Sequence, residues 1–316
     1  MNWKTKARVQ NAVAALPFAS TKVYFAIQRR FGGLRRGLNN PVDRFIAAIN
    51  MVEWIEDAGG SIKGKRVVEV GTGHMVNVPT AFWLLGAGET ITVDVNRYLS
   101  ESIVKESNDS IREHREEVLQ LFGPRANDDG FRSRFEQLLS FSGKLDGLLE
   151  MMNVRYVSPG DAASLPLPEK SVDFHVSHTV LEHVPPTVIS NILAEANRLM
   201  APGGLLLHQI DPSDHFCHED MDIPAINFLQ FSEAEWDKWA GNQFMYHNRL
   251  RASEYLDLFV RVGVRILRSE TAVDDRSLSA LDRGFPVHSR FSGMTREDLA
   301  TRWLRLLGTF DEISEK

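Results

Sequence analysis

Apolar and aromatic positions recur at roughly helical spacing along residues 3–31, with a break at Pro17. Residues 42–58 carry a second amphipathic pattern that stops at Gly59-Gly60, which predicts a helix there. The period then changes. Arg66-Val67-Val68-Glu69-Val70 is a short apolar run leading into Gly71-Thr72-Gly73, the pattern of a buried strand and a tight glycine turn. Asn77 suits the cap of the next helix and Pro79 its first turn; that helix stops near Gly86. Ile91–Val95, Val154–Val157, Val172–Ser177, Leu205–Ile210 and Val264–Leu267 read as further strands. Between them lie helical stretches at 98–122, 130–152, 187–200 and 252–262. Thr295 reads as a helix cap followed by acids in the first turn. Residues 303–307 fit either the continuation of that helix or a last strand.

Strands alternating with helices predict a doubly wound α/β fold. We expect a mostly parallel, seven-stranded, Rossmann-like sheet with right-handed crossovers. The expected division is a basic helical arm over 1–60 and one domain over 61–316, with insertions at about 123–152 and 211–250. In such sheets ligands sit at the carboxyl ends of the strands, so the residues just after each strand are the ones to inspect.

Composition narrows the class. The 316 residues are 43% hydrophobic and 25% charged, ordinary for a globular chain. A lone cysteine, Cys217, excludes an intrachain disulfide framework and suggests a reducing, cytoplasmic setting. The net charge of −6 argues against a nucleic-acid partner. The charge is uneven, however: residues 1–42 hold eight Lys or Arg and no acid. Interleaved with Trp3, Phe18, Tyr24, Phe25 and Phe31, they suit packing across the cofactor mouth against the acidic body. The alternative is peripheral contact with an anionic surface at the inner membrane face.

The turn after the first strand has two glycines where a backbone can approach a ligand. Asp94 closes the second strand 21 residues past Gly73, where a carboxylate accepts ribose hydroxyls. A nicotinamide dinucleotide would want a third glycine at Val76. Glu69 beside the turn opposes a pyrophosphate but attracts an ammonium or sulfonium.

The segment from Gly160-Asp161-Ala162 through Leu165-Pro166 and Ser171-Val172-Asp173 enters Leu181-Glu182-His183-Val184, and Pro202-Gly203-Gly204 precedes the fifth strand. With the Glu-x-Gly-x-Gly turn and the acid after the second strand, this order over roughly residues 64–210 resembles the class I S-adenosylmethionine-dependent methyltransferases. The resemblance implies S-adenosyl-L-methionine as cofactor. It places Glu69, Gly71, Thr72 and Gly73 at the methionine and ribose end, Asp94 with Val95 at the ribose hydroxyls, Asp161 and Ala162 at the adenine, and His178 beside the methionine portion. One departure is Met75, where the family often has a further glycine. That departure motivates a catalytically silent binding module as an alternative reading.

Methyl transfer to a hydroxyl needs alignment and a proton acceptor. His183 after the fourth strand, and Asp211 and His215 after the fifth, are the catalytic candidates. Asp211, Asp214, His215 and His218 also have ligand chemistry, so a divalent metal stands as an alternative to a polar substrate loop; no metal site is assigned. Asn248 and Arg249 are candidates for acceptor binding. Asp173 reads as structural, and Glu182 as serving the helix start. The second half resembles methyltransferases of bacterial surface-polysaccharide clusters, which implies a sugar, glycan or lipid-linked acceptor; another small metabolite is the alternative.

Overall fold

The computed structural model describes residues 2–18, 20–37 and 40–311. Helices α1 (Trp3–Ala14), α2 (Ser20–Phe31) and α3 (Val42–Asp57) precede strand β1 (Arg66–Val70). Then follow α4 (Asn77–Leu84), β2 (Glu89–Val93), α5 (Glu101–Glu113), α6 (Arg115–Phe122), α7 (Asp129–Ser140), α8 (Leu145–Met151) and β3 (Val154–Val157). The second half runs β4 (Val172–His178), α9 (Pro186–Leu199), β5 (Met200–Ile210), α10 (Glu233–Ala240), α11 (Ala252–Arg261), β6 (Val264–Val273), α12 (Asp275–Asp282), α13 (Arg296–Leu299) and β7 (Thr301–Phe310). Among the described residues no helix is long and apolar enough to cross a membrane.

The strands form one sheet in the order β3-β2-β1-β4-β5-β7-β6. All pairs are parallel except those of β7, which runs antiparallel to both β5 and β6. The order reverses between β1 and β4, so the crevice above their carboxyl ends is where this topology holds a ligand. Alternation along the buried strands separates two apolar layers. Val67, Phe174, Val176, Leu205 and Leu207 face α3, α4 and their successors. Val68 and Val70 meet Ile192 and Leu199 of α9 on the opposite face, and Leu206 and Ile210 meet α9 and α11. Glu69 lies between Val68 and Val70 and therefore points toward the α3 layer.

Four local expectations change. Asn77 is the first helical residue rather than a cap. Its buried amide instead accepts from Ser107 Oγ, which ties α4 to α5. Residues 301–310 are a strand, because α13 ends at Leu299 after the Thr295 cap. The fifth strand begins earlier than its apolar run: Pro202-Gly203-Gly204 forms an irregularity inside β5, with Gly203 at φ +74°, rather than a separating turn. The sixth strand extends to Val273, beyond Leu267, because β7 supplies it with a partner along that length.

A fourth apolar cluster lies outside the sheet. Residues 211–250 contribute Phe216, Phe228, Leu229 and Trp236, and α1 inserts Trp3 among them. Trp3 contacts the rings of Phe216, Phe231, Trp236 and Trp239 at centroid distances of 5.3–6.1 Å. Helix α1 is thereby fixed to residues 211–250. Lys6–Glu219 adds to this join, and a two-point Arg29–Glu106 pair ties α2 to α5. Tyr24 stacks on Phe244 at 4.1 Å, whereas Phe18 and Phe31 stay in solvent.

Candidate functional site

The glycine turn after β1 is shaped by its surroundings. Gly71 has φ +87°, and a Cβ there would lie 2.2 Å from Val180 Cγ2, so only glycine fits. Gly73 has φ +66°, and a Cβ there would meet nothing within 4 Å. The turn thus presents bare backbone to open space. Gly73 N–H donates to Asp94 Oδ2 at 2.9 Å, locking the end of β2 to the turn. Burial raises the Asp94 pKa, and the surrounding backbone amides offset part of that rise.

Below the turn, Thr72 donates to Thr92 (2.6 Å), which donates to Glu69 Oε2 (2.5 Å). Burial pushes Glu69 up to about 8, against the opposing effect of Thr92; Asp94 adds to the rise and Arg44 reduces it. Arg44, on α3, interacts electrostatically with Glu69, His74 and His178. A positive group therefore stands beside the turn. Sequence reasoning missed it, although the signal was present. Arg44 shares one helical stripe with Ala48, Met51 and Ile55, all buried, so it is a lone cation on an inward face.

Other expected cofactor residues occupy the same rim. His178 ends β4, with Nδ1 3.0 Å from Gln209 Oε1; burial lowers its pKa to about 4. Asp161 is exposed, and one oxygen accepts from Ala163 N–H, leaving the other open to solvent; Ala162 is buried beside it. Val95 is largely exposed.

A cavity of about 570 Å³ opens next to this rim. Its lining includes His74 and Tyr98, Tyr24 and Phe25 of α2, and His183 and Tyr246. His183 Nδ1 pairs with the Tyr246 carbonyl at 2.9 Å, which makes Nδ1 the protonated nitrogen and leaves Nε2 with a free lone pair.

Behind His183 the loops after β4 and β5 converge. Its ring lies 4.9 Å from that of His215 and 5.5 Å from that of His247. Asp211 Oδ2 lies 3.5 Å from His215 Nε2 and 3.6 Å from His218 Nε2. Burial would raise Asp211, but His215 and Ser213 outweigh it and bring it down to about 2. Burial would lower His215, but Asp211, Glu182 and Asp214 outweigh it and raise its pKa. His183 is held at about 4, first by burial and then by repulsion from His215. The structure therefore gathers all three catalytic candidates, His183, His215 and Asp211, at one wall.

Three assignments change here. Glu182 does not serve the helix start: its side chain is fully buried and neither oxygen has a hydrogen-bond partner. Burial pushes it up to about 8; His215 is the main opposing influence, and the Asp211 charge adds to the rise. Asn248 and Arg249 do not face the acceptor. Asn248 donates to the carbonyls of Leu181 and Val184 and accepts from Tyr255, holding the loop after β4 in place. Arg249 is fully buried, donates to the carbonyls of Phe228 and Phe231, and pairs with Glu233 at 2.6 Å. Their Asn-Arg pattern suits an anionic ligand equally well, so sequence alone could not tell scaffold from site. Asp173 is structural as expected, bonded to Lys65 Nζ and Arg66 N–H.

Residues 142–208 match a family model described as a methyltransferase domain. That segment spans β3 to β5 and includes Asp161, His178 and His183, while the Gly71 turn and Asp94 precede it. No curated protein matches the chain. Among solved structures, the chain is similar to an S-adenosylmethionine-dependent methyltransferase from Methanosarcina mazei (14% identity, 81% of this chain and 96% of that one, TM-score 0.45). It is also similar to a magnesium protoporphyrin IX methyltransferase from Synechocystis with bound SAH (12%, 85% and 84%, 0.42). A third is a phosphoethanolamine N-methyltransferase from Haemonchus contortus in complex with phosphomonomethylethanolamine and S-adenosylhomocysteine (13%, 93% and 58%, 0.48). The match to a methyltransferase domain over residues 142–208 stands beside a sheet with a single reversed strand and a glycine turn at its switch point.

Proposed function

We propose that this chain methylates a hydroxyl oxygen of a small acceptor, a sugar, glycan or lipid-linked sugar, held in the cavity between α2 and His183. The observation that carries the reading is that this cavity is lined both by the cofactor turn's neighbours, His74 and Tyr98, and by His183 with a free Nε2. A carboxylate acceptor would need no such group; a hydroxyl acceptor does. Tyr24, Phe25, Tyr98 and Phe244 offer flat faces to a sugar ring, and Gln28, Arg97 and Gln243 offer polar contacts at its edge.

When bound, S-adenosylmethionine supplies a methyl group on a sulfonium that departs as a neutral thioether. The residues present fit it. Open space above Gly73 admits a ligand against bare backbone. Asp94, one oxygen already taken by Gly73, keeps lone pairs for ribose hydroxyls. Glu69 faces the ammonium end and Arg44 suits the carboxylate. Asp161, with its free oxygen, suits the adenine amino group, and Ala162 packs beside it. His178 borders the methionine portion. His183, with its Nε2 lone pair free, takes the acceptor's proton; Asp211 favours its charged form and the larger influence of His215 opposes it. The arm formed by α1 and α2 serves as the lid that excludes water from this space.

The deciding experiment supplies labelled cofactor and fractionated cell extract, then identifies the product by mass spectrometry. Label on an oxygen of a glycosyl compound, lost in His183→Ala with cofactor affinity intact, is the expected result. Label on nitrogen or carbon, or undiminished turnover in His183→Ala, would overturn it.

A further inference from the structure

Glu182 is the least explained group in the molecule. An acid with no exposure and no hydrogen-bond partner is costly to keep charged, and the positive group facing it is His215. One atom each of Glu182, His183 and His215 lies within 4.8 Å of the other two. Metal ligands stand roughly 3–4 Å apart around a first-row ion, a gap that small side-chain rotations close. His183 has its Nδ1 fixed on the Tyr246 carbonyl, the outer hydrogen bond that orients a ligating imidazole and leaves Nε2 as the donor atom. His215 Nε2 is buried and makes no hydrogen bond, and Asp211 Oδ2 approaches it only to 3.5 Å, as an ion-pair contact.

The geometry points to a divalent-cation site formed by Glu182, His183 and His215, with Asp211 at its edge, that binds a first-row transition ion. Two imidazoles and a carboxylate suit zinc, manganese or iron(II) rather than magnesium or calcium, which prefer oxygen ligands throughout. The buried Glu182 and the partly exposed Asp211 balance the double charge of such an ion. His183 also borders the cavity; with the ion on its Nε2 that lone pair no longer takes the acceptor's proton, and an open position on the ion, lowering the pKa of a bound hydroxyl, would replace that role. The role in acceptor binding rests on the proposed function; the binding of the ion does not.

The test uses the full chain, stripped with chelator and titrated with Co²⁺ as the probe, with Zn²⁺ as competitor. The expected result is one equivalent per chain, visible d–d bands, and displacement by Zn²⁺. Glu182→Gln and His215→Ala should each weaken binding by at least about 10-fold. His114→Ala, an exposed histidine on another surface, should change nothing. Glu182→Gln keeps the shape and removes a buried charge; should it fail to fold by circular dichroism, His215→Ala and His183→Ala decide. No saturable equivalent in the wild type, or unchanged affinity in the folded variants, overturns the site. Calorimetry with S-adenosylhomocysteine on the same samples reports separately on the methyltransferase reading, so either idea can fail alone.

Discussion

Glu69 enters the empty site largely protonated at neutral pH, because burial raises it to about 8. A bound ammonium favours the ionised form, so cofactor binding should release most of one proton at pH 7, and affinity should rise with pH until about 8. Calorimetry in buffers of different ionisation enthalpy measures this directly, and Glu69→Gln should abolish the release; equal proton release in both would rule out Glu69 as the ammonium partner. Asp94→Ala removes two charge-assisted hydrogen bonds, each about 1.5–3 kcal/mol, so affinity should fall at least about 10²-fold. Unchanged affinity would remove Asp94 from the site. These two acids were legible because a turn and a strand end have fixed places in the pattern. Glu182 and Arg249 were misread for the opposite reason. Burial and hydrogen-bond partners come from distant segments, and no local spacing announces them.

Helix α1 is held through Trp3 more than through its own propensity; at 12 residues it is marginal alone. Trp3→Ala should remove about 3–5 kcal/mol of local packing, releasing the arm without unfolding the sheet. Trypsin would then cut at Lys4, Lys6 or Arg8 while residues 61–311 stay protected. The acceptor KM should rise with little change in cofactor affinity, since Tyr24 and Phe25 line the cavity. Resistance equal to wild type would show that the arm is held elsewhere. The aromatic pattern of the arm indicated packing, but not which rings: Phe18 and Phe31 have the same spacing signal as Tyr24 and point to solvent.

Across the whole molecule, the neutral core histidines set the acid limit of stability. His175 is fully buried and lowered to about 4, and burial likewise holds His208 well down. Their folded pKa values lie below the unfolded value near 6.5, so unfolding takes up protons as pH falls through that window. The histidines' contribution should be complete above about pH 6.5 and be lost toward pH 4, with His175 contributing at most about 3 kcal/mol, while Glu69 and Glu182, raised to about 8, act in the opposite sense between about pH 4.5 and 8. Urea midpoints at pH 7 and 5 test this; His175→Leu should flatten the difference, and an unchanged pH slope would contradict it. The sheet itself was largely readable, because β1, β2, β4 and β5 each hold a buried apolar run, three of them followed directly by glycine or an acid. The seventh was not: Trp303-Leu304-Arg305-Leu306-Leu307 carries both periods, and only pairing with β5 and β6 decides it.

That late strand has a consequence for biosynthesis. β7 lies between β5 and β6, yet leaves the ribosome after both. Until it arrives, β5 and β6 each present an open edge of unpaired backbone, and α11 has only half of its apolar bed. The nascent protein therefore carries a sticky seam that closes only with its final strand, and the period between translating residues 273 and 310 is when a chaperone would be needed most. A chain stopped after Leu299 never closes the seam and should pellet with the insoluble fraction.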